Sequence, residues 1–347
     1  MSETYKKNEG NACYLYGFEN NSKTMESVKI VENKIVNIDN AINKIDKNKL
    51  MKPHFRKYTK EGREFVKTDI AYTSFLILNE TYLPSVLVLG YSLRKYKNNY
   101  NLICMVQDKP EKKIINGVET YFEGVSKKGI DAILEIYDVV YGIDLLQLEP
   151  PKHGEHFTER IKHYSNISIY VSKSQVFGLI DYKRVLYLDA STVVHCNLNY
   201  MFSEYDKYAF LYNSSVSKCG MGIHGAVFII EPSLKLYSKS LYLINNYNTV
   251  FGDLYFKRGI DETILYFTVF PKWSKKLIKK WTRCTENYML SKCKIFHYQI
   301  DKPFKKVESE KGCTFIVWDK YAKELLRKYP QFITYFQHIR EFRKVNY

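Results

Sequence analysis

The chain contains no apolar run approaching the roughly 20 residues that a membrane-spanning helix needs. Its opening, Met1-Ser-Glu-Thr-Tyr-Lys-Lys7, lacks the apolar centre of a secretory signal peptide. It has no Cys-x-x-Cys pair. The seven cysteines (Cys13, Cys104, Cys196, Cys219, Cys284, Cys293 and Cys313) are widely spaced and odd in number, which argues against a zinc ribbon or a dithiol redox motif. Cys284, Cys293 and His297 lack a fourth ligand at usable spacing. A reduced, cytoplasmic protein is the expectation. Acid is short as well: 37 Asp and Glu face 53 Lys and Arg, a formal charge of +16. Such a field draws anions, whether nucleic acid, acidic lipid or a diphosphate, without choosing among them. Much of the excess is Lys scattered among Asn and Ile. That bias suits an AT-rich genome, as of a parasite or a large virus, where a place in the virion is also open.

What is present describes a globular chain. Its 347 residues are 45% hydrophobic and 16% aromatic, with 31 Tyr and 20 Phe. This length accommodates one large α/β domain or two ordinary ones. The organising stretch is Lys183-Arg-Val-Leu-Tyr-Leu-Asp-Ala-Ser-Thr192. Val185 to Leu188 reads as a buried strand, being β-branched and aromatic and too short for a helix. A helix is expected over 165–180, feeding that strand. The strand ends at Asp189, where an open α/β sheet presents ligand groups, although Asp189 could equally cap the turn.

Residues 1–65 are Lys- and Asn-rich, and read as a basic, mobile extension with at most a short helix around Ile30 to Ile45. Asp69 to Leu78 is predicted as the first buried strand. A helix follows from Pro84, with Leu83, Val86, Leu87, Gly90 and Leu93 at helical spacing and Arg94, Lys95 and Lys97 at its cationic end. Asn101 to Gln107 is a second strand, completing a β-α-β opening. Ala132 to Val140 is predicted as a strand. His153 and His156 sit in a Gly- and Pro-flanked loop and read as solvated. Further on, strands are expected over 208–213, 226–230 and 294–298, and helices over 198–202, from Ser233 to about Asn246, and from Gly259. The stretch Cys219 to Gly225 is glycine-rich. The domain is placed at 66–310, followed by a basic amphipathic tail, 311–347, interrupted at Pro330. That tail suits a membrane surface or, preferably, the domain's flank.

In this order the pieces resemble the glycogenin-like retaining glycosyltransferases (glycosyltransferase family 8) over about residues 70–304. Leu76, Asn79 and Tyr82 fall where the family holds the uracil of a UDP-sugar. Ser85-Val-Leu-Val-Leu-Gly-Tyr-Ser-Leu93 is similar to its Gly-Ala-Leu-Val-Leu-Gly-x-Ser-Leu run. Lys173 keeps the spacing to Asp189 of a donor-contacting lysine, and Asp189-Ala-Ser191 stands in place of the Asp-x-Asp metal motif. Gly259-Ile-Asp261 resembles the Gly-Gly-Asp-Gln segment near the sugar. His297 with Lys302-Pro303-Phe304 resembles the His…Lys-Pro-Trp ending.

The resemblance implies an α/β GT-A (Rossmann-like) domain with a mixed, mainly parallel sheet flanked by helices. It also implies transfer of a hexose or related sugar from a UDP-sugar, aided by Mn²⁺ or Mg²⁺, to a glycan or protein acceptor. Asp189, Ser191 and His297 would hold the metal. Lys173 and Lys302 would contact phosphate, Ala190, His224 and Gly225 would line the donor, and Asp261 and Glu262 would meet the sugar. Hard oxygen ligands with one imidazole suit these ions, which stabilise a departing diphosphate. Four departures stand out. Ser191 replaces the second carboxylate, Glu262 an amide, and His224 an asparagine, while the ending is one residue shorter. The alternative is a degenerate relative that binds nucleotide-sugar or glycan without turnover. A nucleic-acid module is the third reading, though nucleic acid is not among the expected partners. A homodimer is left open.

Overall fold

The computed structural model describes residues 22–115, 117–148, 169–205, 207–212, 223–251, 260–272, 294–298, 302–304 and 315–343. His153, His156, Cys13, Cys219, Gly259, Cys284, Cys293 and Cys313 lie outside these residues, as do the side chains of 22–28, 211–212, 223–224 and 340–343.

Among the described residues the chain runs α1 (Ser22–Lys44), β1 (Arg56–Tyr58), β2 (Ile70–Leu76), α2 (Leu83–Lys95), β3 (Asn101–Gln107), β4 (Glu111–Ile115), β5 (Val118–Phe122), α3 (Lys127–Leu134) and β6 (Val139–Ile143). A 3₁₀ helix, Tyr170–Gly178, leads to β7 (Arg184–Leu188) and β8 (Thr192–Val194). Then come α4 (Met201–Glu204), β9 (Ala209–Tyr212), β10 (Ile223–Ile230), α5 (Leu234–Asn245), α6 (Tyr247–Phe251), α7 (Ile260–Val269), β11 (Ile295–His297), α8 (Phe315–Lys328) and α9 (Ile333–Arg343).

The large sheet has seven strands in the order β1-β6-β3-β2-β7-β10-β9. The four strands from β6 to β7 are parallel, while β1 and β10 run against their neighbours. The mixed, mainly parallel sheet of an α/β domain is therefore present. The chain builds β2, β3 and β6 outward in one direction and then returns to place β7 on the other side of β2. Crevices at such reversals, beyond the carboxyl ends of the strands, are where open α/β sheets bind ligands. Each face is covered. One core packs Leu83, Leu87 and Leu93 of α2 and Trp318, Tyr321 and Leu325 of α8 on one side. The other packs Phe177, Leu243, Ile264 and Phe267 on the opposite side.

Several elements differ from their sequence reading. Much of 22–65 is folded onto the domain. On α1, Val31, Ile35 and Ile42 are buried, each contributing roughly 1.5–3 kcal/mol. Three apolar positions among many Lys and Asn residues are enough to dock a helix but too few to stand out in composition. The run 132–140 is not one strand: α3, capped by the Ser126 hydroxyl on Gly129 N–H, ends at Leu134, and β6 begins at Val139. The helix expected over 165–180 is, where described, a 3₁₀ helix. The tail packs on the flank, α8 against α2, with Trp318 fully buried and Lys95 Nζ 2.5 Å from Glu324.

Candidate active site

The reversal between β2 and β7 places two loops side by side. After β7 the chain turns at once: Thr192 N–H and its hydroxyl both donate to the Asp189 carbonyl, at 2.9 and 2.7 Å. Asp189 N–H donates to Ala226 O at 2.8 Å. The Ser85 hydroxyl of α2 donates to Ala190 O at 2.6 Å, so Ala190 is pinned from below. These bonds fix where the Asp189 carboxylate points.

Four charged or ionisable groups converge there. Lys173 Nζ lies 3.0 Å from Asp261 Oδ2 and 3.3 Å from both Asp189 Oδ1 and Gly225 O. The Tyr187 hydroxyl donates to Asp189 Oδ1 at 2.7 Å, and its ring lies under Lys173 at 5.4 Å. His297 Nε2 is 3.8 Å from Asp189 Oδ2. Burial opposes charge on Asp189, but Lys173, His297 and the Tyr187 hydroxyl outweigh it and hold its pKa at about 2. Burial likewise opposes charge on Lys173, yet Asp189, Tyr187 and Asp261 hold its pKa well above the ordinary value. The Lys173 ammonium therefore stands between the Asp189 and Asp261 side chains.

His297 arrives by a separate route. β11 pairs antiparallel with β8, setting His297 opposite Thr192, and Tyr298 N–H donates to Ser191 O at 2.9 Å. Ser191 is buried. Lys302 Nζ donates to the Tyr298 carbonyl and also helps lower the Asp189 pKa. Glu262 Oε1 accepts from Gly225 N–H at 2.9 Å, so this carboxylate is engaged with backbone. His224 lies on β10 opposite Leu211. On the β2 side, Leu76 is buried, Asn79 is exposed and caps Thr81 N–H at 2.9 Å, and the Tyr82 ring meets Phe304 edge-on at 4.7 Å. Burial, and then Asp189, push the Tyr82 hydroxyl pKa upward. Lys173, Asp189, Ser191, Gly225, Asp261, Glu262, His297 and Lys302 thus share one neighbourhood, with Tyr82 within electrostatic reach.

The sequence reading missed three contributors. Tyr187 looked like a strand residue yet orients Asp189. Tyr170 is 41% exposed, and burial, then Tyr82 and Asp261, push its hydroxyl pKa upward. Gln107 is fully buried: its Oε1 accepts from Leu78 N–H at 3.0 Å, while its amide donates to Lys109 O and Phe122 O. Leu78 has φ +77°, a left-handed backbone that branched side chains rarely adopt. The Gln107 clamp holds it there, at the mouth of β2. Non-glycine strain of this kind gathers at functional sites.

A divalent ion can be tested against these donors. Two ligands about 2.1 Å from a shared ion stand roughly 3 to 4 Å apart, a spacing that Asp189 and His297 meet. Among the described residues no group of three His, Cys, Asp or Glu could form a metal site. The donors fit an ion that takes most of its shell from outside the protein, not a closed protein cage. A separate cavity of about 220 Å³ lies at the amino ends of the strands, lined by residues that include Arg63, Arg94, Asn101 and Asp138. Arg63 is taken up by Glu135 and Tyr137 carbonyls and Arg94 by Asp138, so this cavity is set apart from the charged centre.

No family model matches the chain. It is similar to human glycogenin-1, 22% identical over 231 residues, covering 67% of this chain and 56% of that protein. It is also similar to galactinol synthase 1 of Arabidopsis thaliana, 27% identical over 146 residues, 41% of this chain and 35% of that one. The chain thus spans little more than half the length of glycogenin-1. Among solved structures, the apo-form glycosyltransferase GlyE of Streptococcus pneumoniae TIGR4 superposes with a TM-score of 0.48 at 14% identity, over 75% of this chain and 63% of that one. By sheet order this is an α/β protein with a mixed, mainly parallel sheet. More particularly, by sequence likeness it is a glycogenin-like chain. Among the described residues, no helix is long and apolar enough to cross a membrane.

Proposed function

We propose that the chain is a retaining glycosyltransferase that moves a hexose or related sugar from a UDP-sugar to a glycan or protein acceptor. The observation that carries this reading is the convergence of Asp189, His297, Lys173 and Asp261 at the β2–β7 reversal. Asp189 and His297, with the Ser191 hydroxyl, would hold Mn²⁺ or Mg²⁺ against the diphosphate, where the ion would neutralise charge on the leaving group. Lys173 and Lys302 supply further positive charge to the same phosphates. Leu76, Asn79 and Tyr82 line the base side, and Ala190, His224 and Gly225 the floor. Asp261 accepts hydrogen bonds from sugar hydroxyls. Glu262 holds the Gly225 backbone beside it. Because the acceptor enters from the face the diphosphate leaves, no strong protein base is called for, and none stands free among these groups.

Calorimetry of UDP with and without Mn²⁺ tests the reading. Binding is expected to strengthen with the ion, and Asp189→Ala to abolish that gain. Absence of UDP binding with Mn²⁺ present would overturn it. Ser191 and the backbone-bound Glu262 favour a second reading, a relative that binds donor without turnover. Incorporation of labelled sugar by the purified protein decides between the two.

A further inference from the structure

In a 3₁₀ helix every third residue shares a face. In Tyr170–Gly178 this puts Tyr170 and Lys173 together on one side and Ser172, Gln175 and Gly178 on another. The first side meets the charged centre. The second is gripped. The Ser172 hydroxyl bonds Leu146 N–H and O at 2.8 and 3.1 Å, and the Gln175 amide donates to Asp144 O at 2.7 Å. At Gly178 an added Cβ would stand 2.9 Å from Pro53 Cβ and 3.1 Å from a Phe55 ring carbon.

Those last two residues belong to a strap, residues 50–58, that packs against the Gly178 end of this face. It is fastened at both ends. Met51 N–H donates to the Ser238 hydroxyl at 3.0 Å. At the other end Arg56 makes a two-pronged pair with Asp108, Nε to Oδ2 at 2.7 Å and Nη2 to Oδ1 at 2.5 Å, and also reaches Asp144 Oδ1 at 2.8 Å. Tyr58 adds a hydroxyl bond to Asp108 Oδ2 at 2.6 Å. Asp144 is thereby held by Arg56 through its side chain and by Gln175 through its carbonyl. A continuous set of contacts joins Arg56 to the helix that carries Lys173.

We propose that the strap is a positioning element for the active site, with Arg56 as its positioning residue: it bears on Gly178 through Pro53 and Phe55 and on Gln175 through Asp144, so that Lys173 stays between Asp189 and Asp261. Its structural part is independent of the glycosyltransferase reading; its consequence for ligand affinity rests on that reading.

The experiment uses the full chain with Arg56→Gln, Gly178→Ala and the charge-preserving Arg56→Lys. Acetic anhydride labelling followed by mass spectrometry reads the exposure of Lys173, with Lys183, 78% exposed, as the internal reference. Lys173 labelling is expected to quicken at least fivefold in Arg56→Gln and in Gly178→Ala, to return most of the way in Arg56→Lys, and to leave Lys183 unchanged. Variants that fold, by circular dichroism well below their melting point, and still label Lys173 at the wild-type rate would overturn the proposal whether or not UDP binds. In parallel, UDP affinity with Mn²⁺ is expected to fall about tenfold in Arg56→Gln, but to fall no further when Lys173 is already Met, the non-additivity of residues acting through one another. Equal losses in both backgrounds would assign the strap a merely structural role and also overturn the proposal. If wild type binds no UDP, the donor reading fails alone, and the labelling result decides the strap.

Discussion

Lys173 Nζ and Asp261 Oδ2 lie 3.0 Å apart although 88 positions separate them in the chain. That contact closes the charged centre from the side of α7, while the 3.3 Å contact to Asp189 closes it from β7.

Lys173→Met leaves two carboxylates facing each other without their shared cation. Stability is expected to fall by roughly 2 kcal/mol, less than for a fully sealed pair because Asp189 keeps 25% of its side-chain surface. Urea unfolding measures the loss. Adding Asp261→Asn should recover at least half of it, since the remaining carboxylate then has a neutral neighbour. No recovery would mean that charge is not what Lys173 contributes.

Acid should loosen the sheet edge. Burial raises the cost of charge on Asp108, but the bonds from Arg56 and Tyr58 outweigh it and set its pKa below the ordinary carboxylate value. A carboxylate depressed in the folded state contributes stability that is complete above its unfolded pKa of about 4. The contribution drains away as pH falls through the lower, folded value. Asp108→Asn is expected to flatten the stability profile below about pH 4. Gly142→Ala should do the same, because its Cβ would overlap the Asp108 carboxylate. An unchanged acid limb in both variants would refute the assignment.

An ion pair ties α1 to α5. Lys239 of α5, 1% exposed, meets Asp39 of α1 at 2.8 Å and Phe270 O at 3.0 Å. Asp39→Ala strands the ammonium and is expected to cost about 3 kcal/mol. The double change Asp39→Leu with Lys239→Met should stay within about 1 kcal/mol of wild type, as apolar replacement of both partners commonly does. Denaturation of the three proteins tests this.

Ser191→Asp adds a carboxylate beside the proposed ion position. Calorimetry should show UDP affinity in Mn²⁺ rising about tenfold. The melting point without ion should drop, because Ser191 is buried and a new charge there lacks a partner. A melting point that rises in the absence of any ion would count against this placement.

Much of this was legible in the chain itself. Val185 to Leu188 reads as a buried strand and is one, and Asp189 stands at its carboxyl end, beside the reversal in strand order. Leu83 to Lys95 carried helical spacing, a proline in its first turn and cations in its last. Residues 132–140 misled because one apolar run straddles a helix end and a strand start. The 3₁₀ helix misled because Val171, Val176 and Phe177 are apolar at spacings that either helix accepts. Arg56, Tyr58 and Gln107 could not be found in advance. Each acts through a partner 29 to 52 positions away, Asp108 for Arg56 and Tyr58 and Leu78 for Gln107, and nothing local marks an arginine or a glutamine as an anchor.

The short ladder between β11 and β8 has a consequence for shortened forms of the chain. A product ending anywhere between residues 231 and 294 would keep every strand of the large sheet, Asp189 and Ser191 among its residues, and still be missing the imidazole at 297. Such a remnant would also lose Trp318, Tyr321 and Leu325 from one face of that sheet, so a single stop there would strip away part of the core together with half of the proposed ligand pair.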